Sequence, residues 1–266
     1  MPTLLVEPGF SLHAASGSGA PTVRIDSAKL SLVVASARNV NISGSAAGPR
    51  VALLDTGLAR AGQEMADFKD GRVQTISAED AHGHGTAMTQ VIEAVKPNAR
   101  VYPVRVLSNG KKGKSYELLV GLAFALWSGQ FDVISASVTT DAAGMCETSL
   151  GKSLDYLLAM ARTNPNDAVP LLVAAAGNSP SKSSGYPAVL LDAVVVVAQQ
   201  RDPSGSYVRA DYNSTPPPGA RVHEAYGGDP GDSLGDVTPT GSTTAQPQWG
   251  TSFAAAAVAG ACIPEP

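Results

Sequence analysis

The chain has 266 residues, a formal net charge of −4, 44% hydrophobic and 16% charged residues. This length suits one large α/β domain with a buried core, and the composition fits a soluble globular enzyme rather than a disordered chain. The acidic balance gives no electrostatic basis for binding nucleic acid or an anionic membrane surface, and apolar runs such as Ala193–Ala198 and Phe253–Ala259 are too short to span a bilayer.

In chain order, residues 1–48 read as an N-terminal extension. Short β-type runs at Val23–Ile25 and Leu30–Val34 lie among Gly/Ser/Ala-rich stretches, and a flexible Ser43-Gly-Ser-Ala-Ala-Gly-Pro49 follows. The opening residues lack a basic stretch before an apolar one, so no secretory leader is visible and the cytoplasm is favoured unless a leader has been removed. The main domain is expected over residues 49–266. Val51–Leu54 is a strand running into Asp55-Thr56-Gly57. Met88, Val91, Ile92 and Val95 fall at helical spacing, and Pro97 ends that helix. A strand at Arg100–Leu107, a helix at Ser115–Ser128 and a strand at Phe131–Val138 come next. A helix through Leu154, Leu157, Leu158 and Ala161 precedes strands at Val169–Ala176 and Ala193–Ala198. Asp202–Gln248 is rich in Gly, Pro, Ser and Thr and reads as loops and short strands, kinked at Pro216-Pro217-Pro218. This alternation implies a three-layer α/β fold, with a mostly parallel central sheet and helices on both faces.

Four residues draw attention within that frame. Asp55 ends a strand and Asn178 closely follows one, which places both at the carboxyl edge of the sheet, where ligands bind in such folds. His84, in His82-Gly83-His84-Gly85-Thr86, precedes a helix. Ser252, in Gly250-Thr251-Ser252, starts an Ala-rich helix whose N-terminus favours negative charge. A nucleophile, a base and an oxyanion donor are the parts that acyl transfer needs. Cys146 and Cys262 are too few for a disulfide framework and read as two buried thiols. Asn41-Ile42-Ser43 and Asn213-Ser214-Thr215 fit the glycosylation acceptor pattern.

Asp-Thr-Gly, His-Gly-Thr, Ala-Ala-Gly-Asn and Gly-Thr-Ser occur in that order, spaced by 29, 94 and 74 residues from Asp55 to His84, Asn178 and Ser252. The pattern resembles the signature of the subtilisin-like serine peptidases, the subtilases, over Arg50 to Cys262. Val104-Arg105-Val106-Leu107, Asp132-Val133-Ile134-Ser135 and Tyr186-Pro187-Ala188 resemble further family segments. The resemblance implies a serine endopeptidase with Ser252 as nucleophile, His84 as general base, Asp55 orienting the base and Asn178 in the oxyanion hole. These roles are the family's own and come with the resemblance. It implies a peptide or protein substrate lying as an extra strand between Lys111-Lys112-Gly113 and Ser135-Ala136-Ser137. Lys111 and Lys112 would favour acidic or polar side chains before the cleaved bond.

No cofactor and no metal site is expected; the helix after His84 runs almost directly into the Arg100 strand, without a calcium-binding loop. The chain departs from the family pattern at Ala87, Ala256 and Ala257, and has Thr139 and Thr140 where pocket glycines are usual. Only 14 residues follow Ser252, so either the N-terminal extension fills the remaining space or the chain is truncated. An aspartic peptidase would need a second Asp-Thr-Gly. A metal hydrolase built on Asp80, His82 and His84 would leave Asn178 and Ser252 without a role. A catalytically silent binding module, or a ligase or transpeptidase using the same residues, remains as an alternative.

Overall fold

A computed structural model describes residues 22–25, 49–69, 72–107, 113–140, 147–163, 169–190 and 192–262. Lys111, Lys112, Cys146, the Leu30–Val34 run and the Asn41 acceptor site lie outside them.

Strand β1 (Thr22–Ile25) precedes β2 (Arg50–Asp55), whose residues Val51 to Asp55 are all fully buried. Val51 and Leu53 face one layer, Ala52 and Leu54 the other. A strand covered on both faces has no solvent side to mark with polar residues, hence its unbroken apolar run. Strands β3 (Glu64–Lys69) and β4 (Arg72–Ser77) follow. Helix α1 (His84–Val95) leads to β5 (Arg100–Arg105), α2 (Ser115–Trp127) and β6 (Val133–Ala136). Helix α3 (Glu147–Thr163), β7 (Leu171–Ala175) and β8 (Val194–Arg201) come next. The last segments are β9 (Tyr207–Arg209), β10 (Arg221–Tyr226), β11 (Gly235–Thr238), β12 (Gln246–Gln248) and α4 (Thr251–Ala261).

Among the described residues the main sheet has nine strands in the order β10-β8-β7-β6-β2-β5-β3-β4, with β9 added on β8. Every pair from β10 to β3 is parallel, and only the β3–β4 and β8–β9 pairs are antiparallel. Helices α1 and α4 cover one face and α2 and α3 the other, each pair closing its own apolar core. This is the three-layer architecture expected from the alternating pattern.

Three features depart from the simple reading. The β3–β4 hairpin extends the sheet where no strand was expected, although Asp70-Gly71 between two alternating runs is a hairpin signal in the sequence. Arg105 ties it down through a two-pronged contact with Asp67 (3.0 and 2.9 Å) and a third hydrogen bond to Glu79 (2.6 Å). Within the stretch read as loops and short strands, β10 pairs with β8 over six residues and is a regular member of the sheet. Finally, β1 joins β11 and β12 in a separate three-stranded sheet, so part of the N-terminal segment packs into the domain.

Helix α4 is buried almost throughout, its residues Phe253 to Gly260 at or near zero exposure. Its alanines allow close approach, and Gly260 meets α1 where an added Cβ would lie 2.9 Å from Val95 Cβ. The helices that begin at His84 and next to Ser252 therefore pack directly on one another.

Candidate active site

Asp55 is the last residue of β2, with its side chain fully buried. Its Oδ1 accepts the Thr56 N–H at 2.7 Å and lies 2.7 Å from His84 Nδ1. An ionised carboxylate only accepts, so the proton between them belongs on Nδ1, leaving Nε2 as the basic nitrogen. Asp55 Oδ2 is buried and bonds to no described residue.

His84 reaches Asp55 because two loops come into backbone contact. A Cβ on Gly85 would lie 2.2 Å from Gly57 O, so only glycine allows the His-Gly-Thr turn to rest on the Asp-Thr-Gly turn. The Thr56 hydroxyl bridges them, donating to Asp80 (2.9 Å) and accepting the Gly85 N–H (2.9 Å). Asp80 is the hub of the turn. One of its oxygens also accepts the N–H groups of His82 (3.2 Å) and Gly83 (2.7 Å), the other the N–H and hydroxyl of Thr86 (2.9 and 2.8 Å). These satisfy orphan donors at the start of α1 and place negative charge at the positive end of its dipole. Asp80 considered as a metal ligand thus has both oxygens engaged by protein donors, and no group of three or more metal-ligating side chains occurs among the described residues. Sequence reasoning missed the capping role; the signal was an Asp three residues before the first glycine of the turn.

Asn178 lies three residues beyond β7. Its Oδ1 accepts both the N–H and the hydroxyl of Thr251, each at 2.9 Å, which caps α4 and leaves Nδ2 beside Gly250. The Thr251 hydroxyl also accepts the Gly177 N–H (3.2 Å). Gly250 has φ +125°, and a Cβ there would sit 2.5 Å from Asn178 Nδ2. The three residues of Gly250-Thr251-Ser252 therefore divide the work: glycine leaves room for the amide, threonine anchors it, and serine presents a half-exposed hydroxyl. Ser252 Oγ donates to Ser137 O (3.4 Å), and the Ser137 hydroxyl donates back to Ser252 O (3.2 Å).

Asn213-Ser214-Thr215, a glycosylation pattern in the sequence, is a brace behind Asn178. Asn213 Nδ2 donates to the carbonyls of Ala198 and Ala210, both at 2.8 Å, and its Oδ1 accepts the Ala198 N–H. The Ser214 hydroxyl bridges the N–H (3.2 Å) and carbonyl (3.1 Å) of Ser179. An Asn so engaged has no free amide for a glycan. Cys262 is a buried free thiol, and burial pushes its pKa up to about 11.

The substrate segment expected at Ser135-Ala136-Ser137 is corrected by its surroundings. Ser135 and Ala136 are interior to the sheet, with β2 on one side and β7 on the other, so neither has a free backbone edge. The strand ends at Ala136, and Ser137, which exchanges hydrogen bonds with Ser252, lies outside the ladder. Thr140 is itself held by the 185–186 loop, donating its N–H to Tyr186 O and accepting the Tyr186 N–H, each at 2.9 Å. Gly113 is exposed, where an added Cβ would lie 2.0 Å from Val106 O.

A parallel sheet with an Asp–His pair at its carboxyl edge, and a serine at the head of a buried helix beside it, defines an α/β protein of the subtilisin-like fold. The chain belongs to the subtilase family, whose sequence profile matches residues 46–263. It is 31% identical over 212 residues to a thermostable alkaline protease from Halalkalibacterium halodurans, covering 72% of this chain and 53% of that one. It is 29% identical over 231 residues to subtilisin BL from Lederbergia lenta, covering 78% and 76%. The chain thus spans about half the length of the first of these relatives. Among solved structures, sphericase aligns with a TM-score of 0.63 at 23% identity, covering 86% of this chain and 81% of that one. A lanthipeptide protease aligns with a TM-score of 0.65 at 20% identity, covering 88% and 78%. At such identities these two structures establish the fold.

Proposed function

We propose that the chain is a serine endopeptidase acting through an acyl-enzyme, with Asp55, His84 and Ser252 as its triad. The observation that carries this reading is the 2.7 Å contact between the buried Asp55 carboxylate and His84 Nδ1, beside a half-exposed serine at a helix N-terminus. In the reaction Ser252 Oγ exchanges its hydrogen bond to Ser137 O for one to His84 Nε2. Oγ then attacks the scissile carbonyl as Nε2 takes its proton, and Asp55 stabilises the imidazolium. The Asn178 Nδ2 group, whose amide is fixed by the Thr251 bonds to Oδ1, and the Ser252 N–H receive the oxyanion. Nε2 returns the proton to the departing amine, and water releases the acyl group by the same steps in reverse.

The substrate is a peptide or protein whose backbone runs along Ser137 to Thr139, and the exposed Gly113 belongs to the segment proposed to pair with it. The side chain before the cleaved bond enters between the 137–140 and 177–185 loops. Thr139 stands in that gap: its Cγ2 would be 3.6 Å from a Cβ on Gly177, and its Oγ1 3.0 Å from one on Gly185. The slot therefore favours small side chains.

The test is labelling with a fluorophosphonate, the modified residue being identified by mass spectrometry. Ser252 is expected to carry the label, and Ser252→Ala to lose both label and turnover while keeping its unfolding transition. Undiminished cleavage by that variant would remove the serine-peptidase reading.

A further inference from the structure

We propose that β1 is a built-in strand clamp: by pairing with β11 it fixes the hairpin leading to Ser252 relative to His84, so the site is competent only while residues 22–25 are in place. The proposal rests on the serine-peptidase reading above. It concerns a segment to which that mechanism assigns no part.

Strand β11 has β12 on one edge and β1 on the other, both antiparallel. Thr22 faces Thr238, Val23 faces Val237, Arg24 faces Asp236 and Ile25 faces Gly235. Opposite charges at the directly opposed Arg24 and Asp236 favour this register. Without β1, the outer edge of β11 would show a row of unpaired backbone groups. The hairpin it would loosen carries Leu234 and Val237, both fully buried in the core closed by α1 and α4.

That hairpin touches both halves of the site. At one end, β12 stops at Gln248, four residues before Ser252, and the Leu234 N–H donates to Gln248 O at 2.7 Å. Just beyond β11, the Thr240 N–H donates to Ala81 O (2.8 Å), in the turn between Asp80 and His82. Strand β1 also contacts α1, the helix that begins at His84. One small sheet thus sets the spacing between nucleophile and base, and ångström-scale displacement of such groups is costly in rate. The N-terminal segment is then a working part of the enzyme, and losing it would inactivate the chain rather than release it.

The full-length Val23→Pro variant tests this, because proline removes a backbone donor and disfavours the ladder. Three quantities are compared with the native chain: the fluorophosphonate labelling rate of Ser252, the thermal transition, and amide exchange at Gly235–Thr238. Labelling is expected to fall about tenfold or more, with faster exchange in β11. Addition of a synthetic peptide spanning residues 18–30 should restore most of the rate, whereas the same peptide bearing the Val23→Pro change should not. Labelling at the native rate or faster would overturn the clamp. So would a slowed or unfolded variant that the native peptide fails to restore. If the native chain itself resists labelling, the serine-peptidase reading fails; the clamp is then judged by exchange alone, and unchanged protection at Val237 would end it.

Discussion

Replacing Asp80 by alanine removes the acceptor for five hydrogen bonds at once: those from the Thr56 hydroxyl, the His82 and Gly83 N–H groups, and the Thr86 N–H and hydroxyl. The two hydroxyls can turn elsewhere, but the three N–H groups cannot. Each buried donor left unpaired costs about 1–3 kcal/mol. Three such donors at the lower part of that range, with partial entry of water, give an expected loss of roughly 3–5 kcal/mol. With a guanidinium m-value of about 4 kcal/mol/M, the unfolding midpoint should fall by roughly 1 M. Asp80→Asn keeps one oxygen acceptor and should lose less. Because the lost bonds hold the start of α1, the folded fraction of Asp80→Ala should also label more slowly at Ser252. Equilibrium denaturation followed by circular dichroism gives the first number. A loss below about 1 kcal/mol would show that the network is not what anchors the turn.

Asn178→Ala is expected to lower kcat by roughly 10²–10³ with little change in KM, a magnitude taken over from the same substitution in a subtilisin rather than from this geometry; a change confined to KM would reassign Asn178 to substrate binding. Burial alone would raise the Asp67 pKa, but the hydrogen bonds and charge of Arg105 outweigh it and hold the group below its ordinary value. Its contribution to stability is therefore complete above the unfolded-state pKa of about 3.9 and lost as pH falls through the folded one, so Asp67→Asn should flatten the acid limb of stability in that window; an unchanged pH profile would show that the pair contributes nothing. Thr139→Gly should widen the slot beside Ser252 and raise kcat/KM for substrates with a large side chain before the cleaved bond, relative to alanine, as read from a peptide library; an unaltered profile would place that side chain elsewhere. In a Cys146→Ser background, Cys262 should react with a thiol reagent at neutral pH only after unfolding, since burial holds the thiol protonated.

Much of the molecule was legible because the local signals were periodic. The i, i+3, i+4, i+7 apolar spacing through Met88 and Val95 marked α1, and the unbroken apolar runs of β2 and β7 marked strands covered on both faces. The four short motifs drew attention to Asp55, His84, Asn178 and Ser252 through their joint resemblance to the subtilase signature, since each alone is an ordinary turn or cap. Less legible were features whose meaning depends on distant partners. Ser135 and Ala136 looked like a substrate-pairing segment; whether a strand has a free edge is decided by its neighbours, and here β2 and β7 occupy both sides. Asn213-Ser214-Thr215 carried a surface-modification pattern, yet its side chains are spent on Ala198, Ala210 and Ser179.

The sequence by itself determined the alternation of strands and helices, the buried character of the central strands and the order of the four motifs. The first two follow from side-chain periodicity, which acts over a few residues, and the third was legible as a resemblance to the subtilases. Only the tertiary structure decided that Asp80 caps the helix bearing His84, that Asn178 is anchored by Thr251, and that residues 22–25 pair with a strand more than two hundred positions away. Contacts between segments far apart in the chain leave no local pattern, because hydrogen-bond geometry and burial arise only when the folded backbone brings their partners together.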